Sequence, residues 1–242
     1  MRVQLLVTCI VDTVMPQIGE ATVTVLERLG HSVEFPAGQT CCGQPGYNAG
    51  YRAEARQVAQ HFLDVFSPTE GYIVTPSGSC AAMVLHGMLD LFRDDSDNLE
   101  RAREVAARTY ELSQFLVRVL GVTDIGARYD GILTYHPSCH LLYGLDEKDA
   151  PLQLLEYVRD ADVVPLPDGE ECCGFGGLFA VKMASVSNEM LIRKVDNIRR
   201  SKASSCVTCD AGCLLNMMEN CGSNPAPAWF ILLKCWLLVD PN

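Results

Sequence analysis

Short apolar segments alternate along this chain with longer segments of helical periodicity. The apolar segments are rich in branched side chains and are bounded by glycine, proline or aspartate, which is typical of buried strands. They cover residues 2–11, 32–35, 71–75, 131–135, 162–166 and 204–208. This alternation predicts an α/β fold with mainly parallel sheets, in which the loops after the strands form the site.

Between these strands the apolar positions recur at helical spacing. In residues 16–29 they form one stripe that ends at Gly30, a common stop signal for a helix. Residues 51–66 and 178–200 also predict helices.

The middle of the chain carries one more predicted helix. It opens at the acidic run 94–97, which we interpret as a solvated loop with a helix cap. Its apolar stripe consists of Val105, Thr109, Leu112, Leu116 and Val119. We interpret this stripe as core packing or as a buttress between two halves. The boundary is placed near Ala127, which gives one half of residues 1–127 and another of residues 128–242.

The cysteines show that the two halves repeat one pattern. Each half has a lone cysteine at the end of an apolar segment, then a Cys-Cys-Gly that follows a proline, then a further cysteine. The members are Cys9, Cys41, Cys42 and Cys80 in the first half and Cys139, Cys172, Cys173 and Cys213 in the second. We therefore predict two pseudo-symmetric cysteine-rich α/β halves, with the cysteines in the loops at the carboxyl ends of the strands.

The net charge of the chain disfavours nucleic acids and anionic membranes as partners. It has 19 lysine and arginine residues against 30 aspartate and glutamate residues, and the net charge of −11 repels phosphate backbones and anionic lipid surfaces. We expect no nucleic acid partner. The first apolar segment has no separate basic region or cleavage site, and no apolar segment is long enough to span a membrane, so a cytoplasmic location is expected.

Twelve cysteines are many for a cytosolic protein that uses thiols only as small hydrophobic groups. Disulfides are disfavoured, because the cytosol is reducing and adjacent cysteines meet disulfide geometry badly. Zinc is one alternative, and Cys206, Cys209, Cys213 and Cys221 could supply four thiolates to it. An iron–sulfur cluster explains more, since its several irons can accept adjacent sulfurs.

Glycines follow both cysteine pairs and are candidate cofactor-binding residues. They are Gly43, Gly174, Gly176 and Gly177. Glycine allows close backbone approach, so its amide can point at a bridging sulfide, although a tight turn into a helix needs glycine equally. The second run is not a dinucleotide fingerprint, and the sequence predicts no flavin or nicotinamide site.

With these motifs assembled, the chain resembles the tandem cysteine-rich CCG domain proteins. The resemblance covers residues 2–219 and rests on the two Cys-Cys-Gly repeats and on the His-Pro-Ser-Cys-His run at 136–140. The length and the Cys-Cys-Gly-Phe-Gly-Gly run at 172–177 are most similar to the lactate utilisation protein A family. The wider group includes the iron–sulfur subunit of glycolate oxidase and the CCG-containing subunit of heterodisulfide reductase. The resemblance implies an iron–sulfur protein that acts with two others in oxidising L-lactate to pyruvate.

The resemblance also implies a ligand set in each half. In heterodisulfide reductase such motifs hold noncubane four-iron clusters, which maps onto the four repeated cysteines of each half. Relatives of that type carry a further cysteine three places before the last one, where this chain has Ser77 and Asp210. The second half has Cys209 as an extra thiol, so we predict that it holds a [4Fe-4S] cluster more tightly, and that the first half has a labile centre, zinc or none.

Three functions remain open at this point. The expected one is an electron-transfer subunit, an oxidoreductase component acting with a ferredoxin-like iron–sulfur partner, because this chain shows no hydride-accepting site of its own. The alternatives are a zinc-stabilised assembly module and an enzyme that reduces disulfides at an open cluster iron. His136 and His140 could relay protons, ligate a metal or orient the loop by hydrogen bonds. Residues 220–242 do not resemble the family, and could form a docking tail, a divergent last strand or an altered reading frame.

Overall fold

The computed structural model describes residues 1–218 and, for the backbone alone, residues 230–231. It divides into two compact units, Met1–Phe115 and a second that begins at Leu116. Each unit carries a parallel sheet with helices, so the predicted α/β class is confirmed. The boundary near Ala127 stays a prediction.

The two sheets have the same strand order. The first contains β1 (Arg2–Leu5), β2 (Ser32–Glu34), β3 (Tyr72–Thr75) and β4 (Thr109–Glu111), in the order β2-β1-β3-β4. The second contains β5 (Arg128–His136), β6 (Arg159–Val164), β7 (Ser205–Thr208) and β8 (Phe230–Ile231), in the order β6-β5-β7-β8. All neighbouring strands are parallel. The carboxyl ends of the strands of one sheet therefore meet at one edge.

The helices of the first unit are α1 (Cys9–Val14), α2 (Pro16–Arg28), α3 (Gln44–Asn48), α4 (Arg52–Phe66), α5 (Gly78–Ala82), α6 (Met88–Leu91), α7 (Ser96–Ala106) and α8 (Leu112–Gln114). Those that follow are α9 (Ala150–Glu156), α10 (Leu178–Lys182), α11 (Ala184–Ser201) and α12 (Ala211–Met218). Wider π-helical turns cover Met83–Gly87, Phe115–Val119 and His140–Gly144. Among the described residues, no helix combines the length and the apolar composition needed to cross a membrane.

The first predicted strand is too long. It ends at Leu5, and Cys9 instead opens α1. The turn between them passes through Thr8, whose φ of 74° is unusual for a branched residue. The pairing of β1 with β2 and β3 ends at Gln4 and Leu5. Beyond that point the chain can turn, which places Cys9 at the carboxyl edge of the sheet.

The predicted middle helix is interrupted after Ala106, and helical turns resume at Leu112–Gln114 and Phe115–Val119. Asp95 caps α7 as expected, because its carboxylate accepts a hydrogen bond from the Asn98 amide at 3.2 Å. After α7, however, Thr109–Glu111 forms β4 and pairs with β3. A four-and-three apolar spacing fits either element over so short a stretch, and pairing with a distant strand decided between them.

Two smaller boundaries also differ. The predicted helix 178–200 is broken at Met183, which has φ −122° and separates α10 from α11. The predicted strand 162–166 is observed as β6, shifted toward the amino end because it pairs with β5 from Arg128 onward. The remaining predicted strands and helices are confirmed to within about three residues.

The core of the first unit lies between its sheet and α4. Phe62 and Phe66 on α4 are buried and stack with ring centroids 4.5 Å apart. They share one apolar cluster with Leu6 and with the thiols of Cys42 and Cys80. Burying an aromatic side chain of this size contributes roughly 1.5–3 kcal/mol, so the cysteine loops are attached to a rigid support.

Candidate metal centre

The repeated cysteines lie where the parallel strands end. In the first unit Cys9 follows β1, the pair Cys41-Cys42 follows β2, and Cys80 lies in α5 just after β3. In the second unit the same positions after β5, β6 and β7 hold the members of the second repeat, Cys139, Cys172, Cys173 and Cys213. Because strand ends of one sheet share an edge, each unit collects four thiols that are far apart in sequence.

The four thiols of the first unit form a connected chain of contacts. The Sγ atoms of Cys9 and Cys41 are 3.5 Å apart, and so are those of Cys42 and Cys80. The two members of the adjacent pair also interact with each other. Cys9 and Cys41 are half-buried and are called the outer pair below, whereas Cys42 and Cys80 are buried and form the inner pair.

The second unit repeats this arrangement. The Sγ atoms of its outer pair, Cys139 and Cys172, are 3.6 Å apart. Its inner pair, Cys173 and Cys213, is buried and in hydrogen-bond contact. All ten cysteines within residues 1–218 are free thiols. The structure therefore brings together eight of the nine cysteines that the sequence nominated as ligands, four in each unit.

Cys209, the ninth, occupies a different position. It is buried, and its thiol accepts a hydrogen bond from Tyr135 Oη at 3.9 Å. Cys206, from the zinc alternative, is buried within β7 and packs in an apolar cluster with the inner pair. Cys221 lies outside the described residues. A ligand role for Cys209 stays a prediction.

The glycine after each pair is required by the backbone. Gly43 and Gly174 have φ of 89° and 87°, a region that favours glycine. Their amides donate to the thiols of Cys41 and Cys172, each at 3.4 Å. A Cβ at Gly174 would lie 2.6 Å from the Ser187 carbonyl oxygen, so the turn also packs tightly against α11. The other two candidates, Gly176 and Gly177, shape the turn into α10.

One thiol of each outer pair is poised as a thiolate. Hydrogen bonds from Cys42 and Cys9, with help from the Gly43 amide, lower the pKa of Cys41 to about 3 despite its burial. Donating those bonds raises the pKa of Cys9 and of Cys42 above the ordinary thiol value. Cys41 is thus ionised while its two donors keep their protons, and a metal bound at this site would displace those protons.

The second unit repeats this electrostatic pattern. A hydrogen bond from Cys139, followed by one from Cys173, lowers the pKa of Cys172 far below the usual thiol range. The donors respond in the opposite direction. The hydrogen bond to Cys172 raises the pKa of both, followed by burial for Cys139 and by the hydrogen bond with Cys213 for Cys173. The equivalent member of each repeat is therefore the ionised one.

A histidine stands beside the inner pair of the second unit. His136 is the last residue of β5 and is fully buried. One ring nitrogen and the thiols of Cys173 and Cys213 all lie within 4.8 Å of one another. Burial, followed by the charge of Lys194, lowers the pKa of His136 to about 3, so the ring is neutral at pH 7.

Lys194 is the residue that the sequence interpretation missed. It lies on α11 and is 0% exposed, and its Nζ donates to the Gly169 carbonyl at 2.9 Å and to the Asp168 carbonyl at 3.3 Å. Burial lowers its pKa. A signal was present, because Lys194 falls on the apolar stripe of its helix between Leu191 and Ile198, where a charge is rarely buried without a reason.

The donor set fits a soft metal centre. Thiolates select zinc, copper(I) and iron–sulfur clusters over hard cations. Buried oxygens near the strand ends also lack a hydrogen-bond partner within the described part of the chain: the hydroxyls of Thr8, Thr75 and Thr208. Unpaired buried groups are costly, so their position near the cysteine loops is consistent with a polar or inorganic group there.

Fold and site together define a class of protein: a tandem α/β protein with a four-thiol centre at the carboxyl edge of each sheet. The family model described as a cysteine-rich domain, CCG, matches residues 3–85 and 133–218. Proteins named lactate utilization protein A from Geobacillus thermodenitrificans, Geobacillus kaustophilus and Anoxybacillus flavithermus are 48%, 49% and 49% identical to the chain, each over 90% of both sequences. The chain belongs to the CCG cysteine-rich family and, within it, to the lactate utilization protein A family, which confirms the resemblance seen in the motifs.

Proposed function

We propose that this protein is an iron–sulfur electron-transfer subunit in a cytoplasmic system that oxidises L-lactate to pyruvate. The observation that carries the proposal is the repeated set of four contacting thiols, one set in each unit. The names of the relatives support lactate as the substrate of the system. The thiol geometry supports an iron–sulfur centre, because a duplicated set with adjacent cysteines suits a centre of several irons better than a single ion.

Oxidation of lactate to pyruvate releases two electrons and two protons. The step needs a group that accepts a hydride, and we assign that cofactor to a partner protein. A bound iron–sulfur centre supplies one-electron acceptor and donor chemistry. The ferredoxin-like iron–sulfur protein expected among the other lactate-utilisation proteins is the proposed partner in electron exchange.

The residues of this chain would hold and shield the centres. The inner pair of each unit is buried in apolar surroundings, which keeps water away from that side. The outer pair is half-buried, which leaves an edge near the surface where electrons can enter or leave. The amides of Gly43 and Gly174 point at outer-pair sulfurs and would stabilise negative charge there.

Anaerobic purification with iron, sulfide and zinc analysis tests the proposal. We expect a brown protein with iron and acid-labile sulfide, and an electron paramagnetic resonance signal on reduction. Cys173→Ser should lose metal from the second unit. Cys206→Val is the matched control, because Cys206 is equally buried nearby but lies outside the four-thiol set. A colourless zinc protein, or loss of metal in the control alone, would overturn the proposal in favour of the zinc alternative.

A second candidate function is direct disulfide reduction at the second unit. A pocket of about 410 Å³ lies beside its thiol loops, and its lining includes Tyr135, Pro137, Leu166 and Gly169. Such an apolar pocket could admit an organic disulfide at the loops that lead to the outer pair. Turnover of the isolated reduced protein with a disulfide would favour this function, and absence of turnover together with electron exchange with a ferredoxin would favour the relay.

A further inference from the structure

The second unit places a histidine where the first unit has a leucine. His136 and Leu6 each lie at the end of the central strand, at the same spacing before the first cysteine of the repeat. Both are 0% exposed. Leu6 packs in one apolar cluster with the inner pair Cys42 and Cys80. The fold therefore accepts an apolar residue at this position, and we infer that the histidine is present for a reason other than folding.

The ring nitrogens of His136 are poorly satisfied among the described residues. Neither has a hydrogen bond of ordinary geometry there, and the Gly169 carbonyl, which interacts with the ring, already accepts from Lys194. An unpaired polar group with no access to water is destabilising, and imidazole can offset that cost by binding a metal. The ring nitrogen and the two inner thiols of Cys173 and Cys213 form a group within 4.8 Å, which is the spacing of ligands around one metal ion.

A second residue near the inner pair also differs between the units. Lys194 on α11 carries the ammonium group that acts on His136, and it is held by the carbonyls of Asp168 and Gly169. The position of Lys194 corresponds to that of Phe62 in the first unit. The Ala55 carbonyl faces Gly43 and the Ser187 carbonyl faces Gly174, and Phe62 and Lys194 follow these two residues at the same spacing.

We propose that His136 is a nitrogen ligand of the metal centre of the second unit, bound together with Cys173 and Cys213, whereas the first unit binds through thiolates alone. This inference rests on the proposed function, since it needs a metal at the thiol sets. It gives the second unit a fifth protein ligand without Cys209. Imidazole is neutral and thiolate is an anion, so with histidine rather than cysteine as its fifth ligand the centre would be less negative and would have the higher reduction potential, as in Rieske centres.

Isotope labelling of the full-length wild-type chain tests the ligand directly. The protein is purified anaerobically with 15N-histidine or natural histidine, reduced, and studied by pulsed electron paramagnetic resonance. We expect a nitrogen coupling that changes with the label. His136→Leu, which installs the residue that the first unit has, should abolish the coupling, and His136→Cys should keep iron but lower the potential of one centre.

His140→Leu is the matched control. His140 flanks Cys139 on its other side, is half-buried, and is not in the group of donors beside the inner pair. It should retain the coupling. Wild-type protein with iron but with no label-sensitive coupling would overturn this inference alone, and so would a coupling that persists in His136→Leu or disappears only in His140→Leu. Wild-type protein without iron would overturn the proposed function itself.

Discussion

The two units share one backbone plan but differ in what surrounds the inner thiols. In the first unit Leu6 and Phe62 pack against Cys42 and Cys80. In the second unit the equivalent places are taken by His136 and Lys194, both fully buried. The two units thus share the arrangement of four sulfurs but differ in the electrostatic environment of those sulfurs. Ligand geometry follows from strand order, whereas the affinity and potential of a centre depend on side chains that the fold leaves free to vary.

The largest expected difference between the units is in metal retention. Cys173→Ser should remove about half of the bound iron and leave a centre that a mild chelator extracts, because the more tightly held centre is then gone. Cys42→Ser should instead leave the resistant fraction in place. Iron content before and after chelation measures both. Loss of the cluster in Cys42→Ser with none in Cys173→Ser would contradict the predicted order.

The next largest difference between the units is expected in the loss of stability when Gly43 or Gly174 is replaced by alanine. A Cβ at Gly174 would lie 2.6 Å from a backbone oxygen, against 3.3 Å at Gly43. We expect Gly174→Ala to cost about 3 kcal/mol or more, because backbone must move, and Gly43→Ala about 1–2 kcal/mol.

Gly50→Ala controls for strain alone. Its φ is 81°, yet a Cβ there would meet no atom within 4 Å. Urea unfolding of the metal-free variants gives the three free energies of unfolding. Equal losses for all three would show that positive φ, rather than the contact with α11, determines the cost.

Removal of the buried cation should move a potential by a smaller amount. Lys194→Leu takes a positive charge away from the thiolates, so the reduced form of the second centre becomes less stable. An effect of roughly 1 kcal/mol corresponds to a fall of about 40 mV for a one-electron centre. Phe62→Leu should leave the potential of the first centre unchanged. A redox titration monitored by electron paramagnetic resonance gives the potentials of both centres in each variant. A shift of the same size in Phe62→Leu would contradict the electrostatic explanation.

The smallest expected difference lies at the helix caps. The Asp210 carboxylate accepts hydrogen bonds from the amides of Gly212 at 3.0 Å and of Cys213 at 3.3 Å, which caps α12. Ser77 caps α5 without such a side-chain bond. We expect Asp210→Ala to cost about 1 kcal/mol of stability and Ser77→Ala less than about 0.5 kcal/mol. Thermal unfolding of the metal-free variants measures this, and a larger loss in Ser77→Ala would contradict it.

Much of the fold could be predicted from the chain. Strands such as Tyr72–Thr75 and helices such as Pro16–Arg28 carry a strong local pattern, and the duplicated order follows from the cysteine repeat. The strand Thr109–Glu111 was missed because its apolar spacing also fits a helix, and only pairing with β3 distinguishes the two. Local periodicity therefore fails where an element is shorter than the window that defines it.

The sequence by itself determined that eight cysteines would gather in two sets of four. Its apolar segments specify parallel strands, and parallel strands end at a common edge wherever they occur. Only the tertiary structure decided which other residues face those thiols. His136 and Lys194 lie far apart along the chain, and they meet because α11 packs against the sheet. The apolar stripe of α11 indicates that Lys194 is buried, but no local pattern tells which residues it faces.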